Sequence, residues 1–185
     1  SKCPIRVAVP VNLRPYFNSI TTKNFFVMVS AEFHPTKETY TFAEVLEIVK
    51  ESLRKQINRE NLEKLFSYNV SNEKLLIARV VPLFLKNLAM KYVYTNSALA
   101  NTATITNIGN ISVAEEYRPY VEIFHAFLAM SKGQHLKGTI CSYGDTLVFS
   151  FSYDLVDASV QRGFFRKIAS DGIAVEIKSN GVNYE

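Results

Sequence analysis

The sequence predicts an α+β fold, a mixed α/β chain in two layers, with helices covering one face of a largely antiparallel sheet. Two observations carry this. Segments of strand periodicity sit at both ends of the chain around a long helical middle, in the order strand, strand, helices, strands, helix, strand. The 185 residues are 48% hydrophobic and 12% aromatic, enough for a buried core, and neither repeats nor linkers divide residues 1–185 into more than one domain.

Ile5 to Val11 is apolar and rich in β-branched residues, which predicts a first strand ended by Asn12-Leu13-Arg14-Pro15, since Pro15 disfavours helical geometry at Arg14. A second strand is expected from Asn24 to about Phe33, closed by Pro35. Thr41-Phe42-Ala43-Glu44 reads as a capping box for a helix with Phe42, Val45, Leu46, Val49, Leu53 and Ile57 on one face. Leu62 to Phe66 extends or follows it. Ser71 is expected to cap another helix, Glu73 to about Tyr94, in which Pro82 marks either a kink or the true first turn. Strands follow at Ala103–Ile108, Val121–Met130, Gly138–Ser142 and Thr146–Tyr153, then a helix at Ala158–Ser170 and a last strand at Ile173–Lys178.

Charge and motifs exclude more than they select. The net charge of +4 is spread along the chain, with no basic face and no RNA-binding aromatic signature, so no nucleic-acid partner is expected. The apolar stretch Leu75–Tyr94 is broken by Arg79, Lys86 and Lys91, which argues against a membrane span. His34, His125 and His135 lack the spacing of a helical metal site, and no metal is expected. Gly133 to Thr139 lacks the lysine and the helix of a phosphate loop. Two distant cysteines, Cys3 and Cys141, fit free thiols in a reducing compartment. With no secretory pattern at the start, a cytoplasmic location is expected. The opening Ser1 in place of Met fits either processing or excision from a longer protein.

Three segments carry a resemblance. Leu147-Val-Phe-Ser-Phe-Ser-Tyr-Asp-Leu-Val-Asp-Ala158 and its following helix resemble the strand, motif and helix of the chloramphenicol acetyltransferase-like superfamily of CoA-dependent acyltransferases. Members carry His-His-x-x-x-Asp-Gly there, and the second His is the general base. Here Ser152 and Tyr153 stand at the two His positions, Asp157 matches the Asp and Ala158 replaces the Gly. Tyrosine, with its reference pKa near 10, is a poor proton acceptor at neutral pH. The carboxylate of Asp157 reads as a structural relic at a strand-to-helix turn.

Thr104-Ile-Thr-Asn-Ile-Gly109 is similar to the Ser/Thr-Asn-x-Gly strand end of the same superfamily, which puts Thr106 at the place of an oxyanion donor, beside Asn107. Val9-Pro-Val-Asn-Leu-Arg14, with Asn24 ten residues later, resembles the segment that opens the second half of two-domain members such as alcohol acetyltransferases and condensation domains. Arg14 suits a carboxylate or phosphate anchor, and an ion pair serves it equally well.

The resemblance therefore implies a C-terminal subdomain of a CoA-dependent acyltransferase with a chloramphenicol acetyltransferase-like fold and no catalytic His. Asn12, Arg14, Asn24 and Asn107 would line one wall of a channel for acyl-CoA and a small alcohol or amine. The fragment itself would bind no cofactor and show no transfer, acyl-CoA being co-substrate of the intact parent. Its partner would be the N-terminal half of the same polypeptide. The alternative is a non-catalytic binding or scaffold protein that retains the fold; it predicts a surface without a large apolar patch. A homotrimer of the dihydrolipoyl acyltransferase kind is disfavoured, because every subunit would lack the base.

Overall fold

The computed structural model describes residues 4–74 and 81–180. Five strands form one sheet in the order β2-β1-β3-β4-β5. They are β1 (Ile5–Asn12), β2 (Phe26–Phe33), β3 (Ala103–Asn110), β4 (Leu136–Tyr143) and β5 (Thr146–Tyr153). β1 and β2 pair antiparallel over their full length, as do β4 and β5, so most ladder positions are antiparallel. β3 lies parallel to both central neighbours. It joins β4 over six residues but meets β1 only through Val7–Ala103 and Ala8–Thr104. Hydrogen bonds of Thr102 with the Arg6 backbone lengthen that short seam slightly.

Among the described residues the α-helices are α1 (Arg14–Phe17), α2 (Phe42–Gln56), α3 (Arg59–Lys74), α4 (Leu83–Leu99) and α5 (Ser159–Ser170). Strand alternation decides what each face of the sheet meets. Val27 and Val29, with Val9 and Val11 beside them, pack against Leu53, Ile57 and the fully buried Leu62 of the α2–α3 pair. At the other end of the same face, Phe149 and Phe151 meet Phe164 and Phe165 of α5, with ring centroids 4.3–5.8 Å apart. Gly138 makes room there: a Cβ on it would stand 3.2–3.3 Å from the Phe149 ring and Ile105.

β2 is an edge strand, and α2 covers half of its open backbone. Gln56 accepts from the Ser30 N–H at 3.1 Å and donates to the Ser30 carbonyl at 2.6 Å, and Ser52 accepts from the Glu32 N–H. An amide and a hydroxyl one helical turn apart thus stand in for a missing neighbouring strand.

Several sequence expectations hold. Thr41 and Glu44 form the expected reciprocal capping box, and Pro82 is the N-cap of α4, the first-turn alternative. Others are corrected. α3 runs on through Ser71, which therefore does not cap a new helix. The stretch 75–80 lies outside the described residues. Val121–Met130 joins no ladder; it crosses the sheet face opposite the helices as a strap. It is tied there by the Cys141 thiol to the Phe124 carbonyl and by Lys137 to the Ala129 carbonyl and the Ser131 hydroxyl. Its alternation is real because one side rests on the sheet and the other faces solvent, but no strand lies beside it. Ile173–Lys178 is likewise without a ladder, its Ile173 N–H bonded back to Ile168 of α5.

Candidate functional site

The sheet face opposite α2, α3 and α5 carries a row of polar side chains. Ladder register aligns Thr104, Lys137 and Ser152 across β3, β4 and β5, and in the next rung Thr106, Thr139 and Ser150. Residues directly opposite share a face, so five hydroxyls and one ammonium form a polar patch. The strap covers its β4 part, where Lys137 and Thr139 are buried; Ser150 beside them on β5 is buried too. Over β1, β2 and β3 a groove of about 470 Å³ opens on this face. Asn12 and Arg14 stand at one end, Thr104, Thr106 and Asn107 form its β3 wall, and Pro10, Phe26, Met28 and Leu128 supply apolar lining.

Four of the sequence-derived residues, Asn12, Arg14, Thr106 and Asn107, are thus brought together from two distant segments. Asn107 is held by a bond from the Gly109 N–H to its side-chain oxygen at 2.9 Å, beside a bulge where Gly109 adopts φ of 84°. That irregularity ends the regular β3–β4 register one residue past Thr106. Arg14 is anchored locally: Nε donates to the Thr21 carbonyl at 2.7 Å, Nη2 to the Lys23 carbonyl at 2.6 Å and Nη1 to Asn12 Oδ1 at 3.1 Å. The guanidinium therefore clamps the loop between α1 and β2 while lining the groove, and no carboxylate lies within ion-pair distance of it among the described residues. Asn24 sits in that same loop, exposed and outside the groove.

The motif positions on β5 divide between the two faces. Ser152 belongs to the polar patch, two strands and roughly 10 Å from β3. Tyr153 alternates onto the helix side with Phe149 and Phe151. Asp157 accepts from the Ser159 N–H and hydroxyl, both at 2.8 Å, and pins the entry to α5. The Ser159 hydroxyl and N–H hold its carboxyl below the usual aspartate value. Next to this turn His135 Nδ1 lies 2.9 Å from Asp154 Oδ1, an exposed pair that sequence spacing did not reveal. Thr104 was legible as the same-face neighbour of Thr106. Met28 and Leu128 were not, because only the tertiary fold brings them to the groove.

Among the described residues no group of three or more His, Cys, Asp or Glu could hold a metal. No helix there is long and apolar enough to cross a membrane. Cys141 is a buried free thiol, and Cys3 lies outside the described residues. A second cleft of about 370 Å³ beside Arg118 and Tyr143 includes none of the residues singled out by sequence. Comparison with known proteins finds no matching family model, no matching curated protein and no matching solved structure.

Proposed function

We propose that this chain is the C-terminal subdomain of a two-domain, CoA-dependent acyltransferase of the alcohol acetyltransferase-like kind, with a chloramphenicol acetyltransferase-like fold. It forms one wall of the acyl-CoA and acceptor channel in the cytoplasm. The observation that carries this reading is the groove: the Asn12-Leu13-Arg14 strand end and the Thr106-Asn107 strand end meet there, as two halves of one channel wall would. In the intact enzyme the N-terminal half supplies the base that Ser152 and Tyr153 cannot. That base takes the proton of the acceptor hydroxyl or amine as its oxygen or nitrogen attacks the thioester carbonyl. Thr106 donates its hydroxyl proton in a hydrogen bond to the resulting oxyanion. Collapse of the intermediate expels CoA as its thiol, reprotonated by the base.

The test begins upstream of Ser1. An open frame of roughly 100–200 further residues carrying His-His-x-x-x-Asp-Gly supports the reading. A start codon at or just before Ser1 overturns it and leaves a fold-retaining binding protein. In the full-length enzyme, Thr106→Ala is expected to lower kcat about 10²-fold, the size of a single lost oxyanion donor, with Thr106→Ser restoring most of it. An unchanged kcat removes Thr106 from the mechanism.

A further inference from the structure

Lys137 is buried in β4, 7% exposed, and its ammonium meets two neutral acceptors, the Ala129 carbonyl at 2.6 Å and the Ser131 hydroxyl at 3.0 Å. No carboxylate lies within ion-pair distance of it among the described residues. Stability alone does not account for such a group. An apolar side chain of similar volume in place of a buried charge is often neutral or stabilising, because it avoids the loss of hydration. What the ammonium supplies is a fixed point for the strap. Val121–Met130 joins no ladder, and the thiol contact from Cys141 to the Phe124 carbonyl, at 3.5 Å, is weak beside the two bonds from Lys137.

That fixed point adjoins the groove. Thr104, opposite Lys137 in the β3–β4 ladder, belongs to the groove wall, and Leu128, one peptide from Ala129, belongs to its apolar lining. Along the strap Ala126, Leu128 and Met130 are half-buried while Phe127 and Ala129 are exposed, so Leu128 is on the side that rests on the sheet. Asn12 lies four residues further along β1 than Ala8, the partner of Thr104, which sets the polar end of the groove away from Leu128. Thr106 stands between the two ends, about 7 Å along β3 from Thr104. The groove therefore runs from Asn12 and Arg14, past Thr106, to an apolar side closed by Leu128.

We propose that Leu128 sets the length of acyl chain that the groove accepts, and that Lys137 is its positioning residue, holding Ala129 and Ser131 so that Leu128 stays across the Thr104 end. This rests on the acyltransferase reading above: with the thioester carbonyl at Thr106, the acyl chain runs away from Asn12 and Arg14 towards Leu128, and a short chain fills the space. The experiment measures the Kd of acetyl-CoA and of octanoyl-CoA for the full-length gene product. Leu128→Ala is expected to shift the ratio towards octanoyl-CoA at least tenfold, the scale of one methylene in an apolar pocket. Lys137→Met keeps a long side chain and removes both bonds. It is expected to shift the ratio severalfold the same way, and to speed amide hydrogen exchange across residues 121–131 about tenfold. Ser131→Ala removes one bond and is expected to move both readouts in the same direction by less, so it carries the test if Lys137→Met does not fold.

Unchanged ratios in all three variants of a gene product that binds acyl-CoA overturn the proposal and leave the acyltransferase reading standing. A shifted ratio in Leu128→Ala, with ratio and exchange unaltered in Lys137→Met and Ser131→Ala, overturns the role of Lys137. A Lys137→Met variant that loses stability while its ratio stays that of the parent does the same, since a purely structural lysine moves only the stability. A gene product that binds neither thioester overturns the acyltransferase reading and the chain-length role with it, and the exchange rates then uphold or overturn the hold of Lys137 on the strap by themselves.

Discussion

Gln56 makes the sharpest stability prediction. Its amide closes a two-point contact with Ser30 on the open edge of β2, at 3.1 and 2.6 Å, in a half-buried setting. Gln56→Ala removes both bonds and leaves an N–H and a carbonyl of the edge strand without partners. Two net hydrogen bonds are worth about 2 kcal/mol together. The freed glutamine rotamers return part of that, since ordering such a side chain costs up to about 1.5 kcal/mol. The expected loss is about 1.5 kcal/mol, or roughly 3–6 °C in Tm for a chain of this size. Urea titration is the assay, with an unchanged slope and a lowered midpoint. Gln56→Glu keeps the length and the acceptor but sets a carboxylate against the Ser30 carbonyl, and it is expected to be at least as damaging. Lys55→Ala, one residue away, removes only an exposed ion pair with Glu51 and is the near-neutral control. A Gln56→Ala variant within 0.5 kcal/mol of the parent, about the scatter of neutral surface changes, refutes the strand-mimic account.

Gly138→Ala forces the Phe149 ring and Ile105 to retreat from contacts of 3.2–3.3 Å, and is expected to cost about 1–3 kcal/mol with a changed near-ultraviolet aromatic signal. Arg14→Lys keeps the charge but cannot reach the Thr21 and Lys23 carbonyls with a planar fork. Faster proteolysis within residues 18–25 is the expected readout, and an unchanged cleavage rate refutes the clamp. Lys37, with the Thr41 backbone and hydroxyl, holds the Glu44 carboxyl at about 2 against an ordinary 4.5. Its contribution is therefore complete above about pH 4.5 and is lost as the pH falls from there towards 2. Glu44→Gln is expected to flatten the stability profile across that window.

Local signals were legible in the sequence and long-range ones were not. The capping box at Thr41, the alternation of β1 and the β5-to-α5 passage rest on neighbours within a few residues, and each appears where expected. Alternation at Val121–Met130 gave the same pattern for a different reason: a strap lying on a sheet has one covered and one open side, as a strand has. Gln56 and Ser52 are polar residues on a packed helix face, which composition alone assigns to solvent. At the candidate site, sequence supplied Asn12, Arg14, Thr106 and Asn107 through a motif resemblance, but their meeting depends on the parallel register of Ala8 with Thr104. Such a register is set by tertiary packing and has no local signature. Asn24 lies outside the groove, in the loop whose course the Arg14 clamp fixes.

The short seam between β1 and β3 has a mechanical consequence. Two panels, β1–β2 and β4–β5 with β3 attached, are each stiffened by long ladders, yet among the described residues the ladder between them is short, Val7–Ala103 and Ala8–Thr104 extended by the Thr102 hydrogen bonds to Arg6. The groove spans that join, with Asn12 on one panel and Thr106 on the other. Asn12 lies four residues beyond the seam, about 13 Å along the strand. A change of about 10° in inter-strand twist, well inside the ordinary range, swings it by about 2 Å relative to Thr106. The width of the groove is therefore governed by torsion of the whole sheet, and anything that grips one panel, far from Thr106, adjusts the opening.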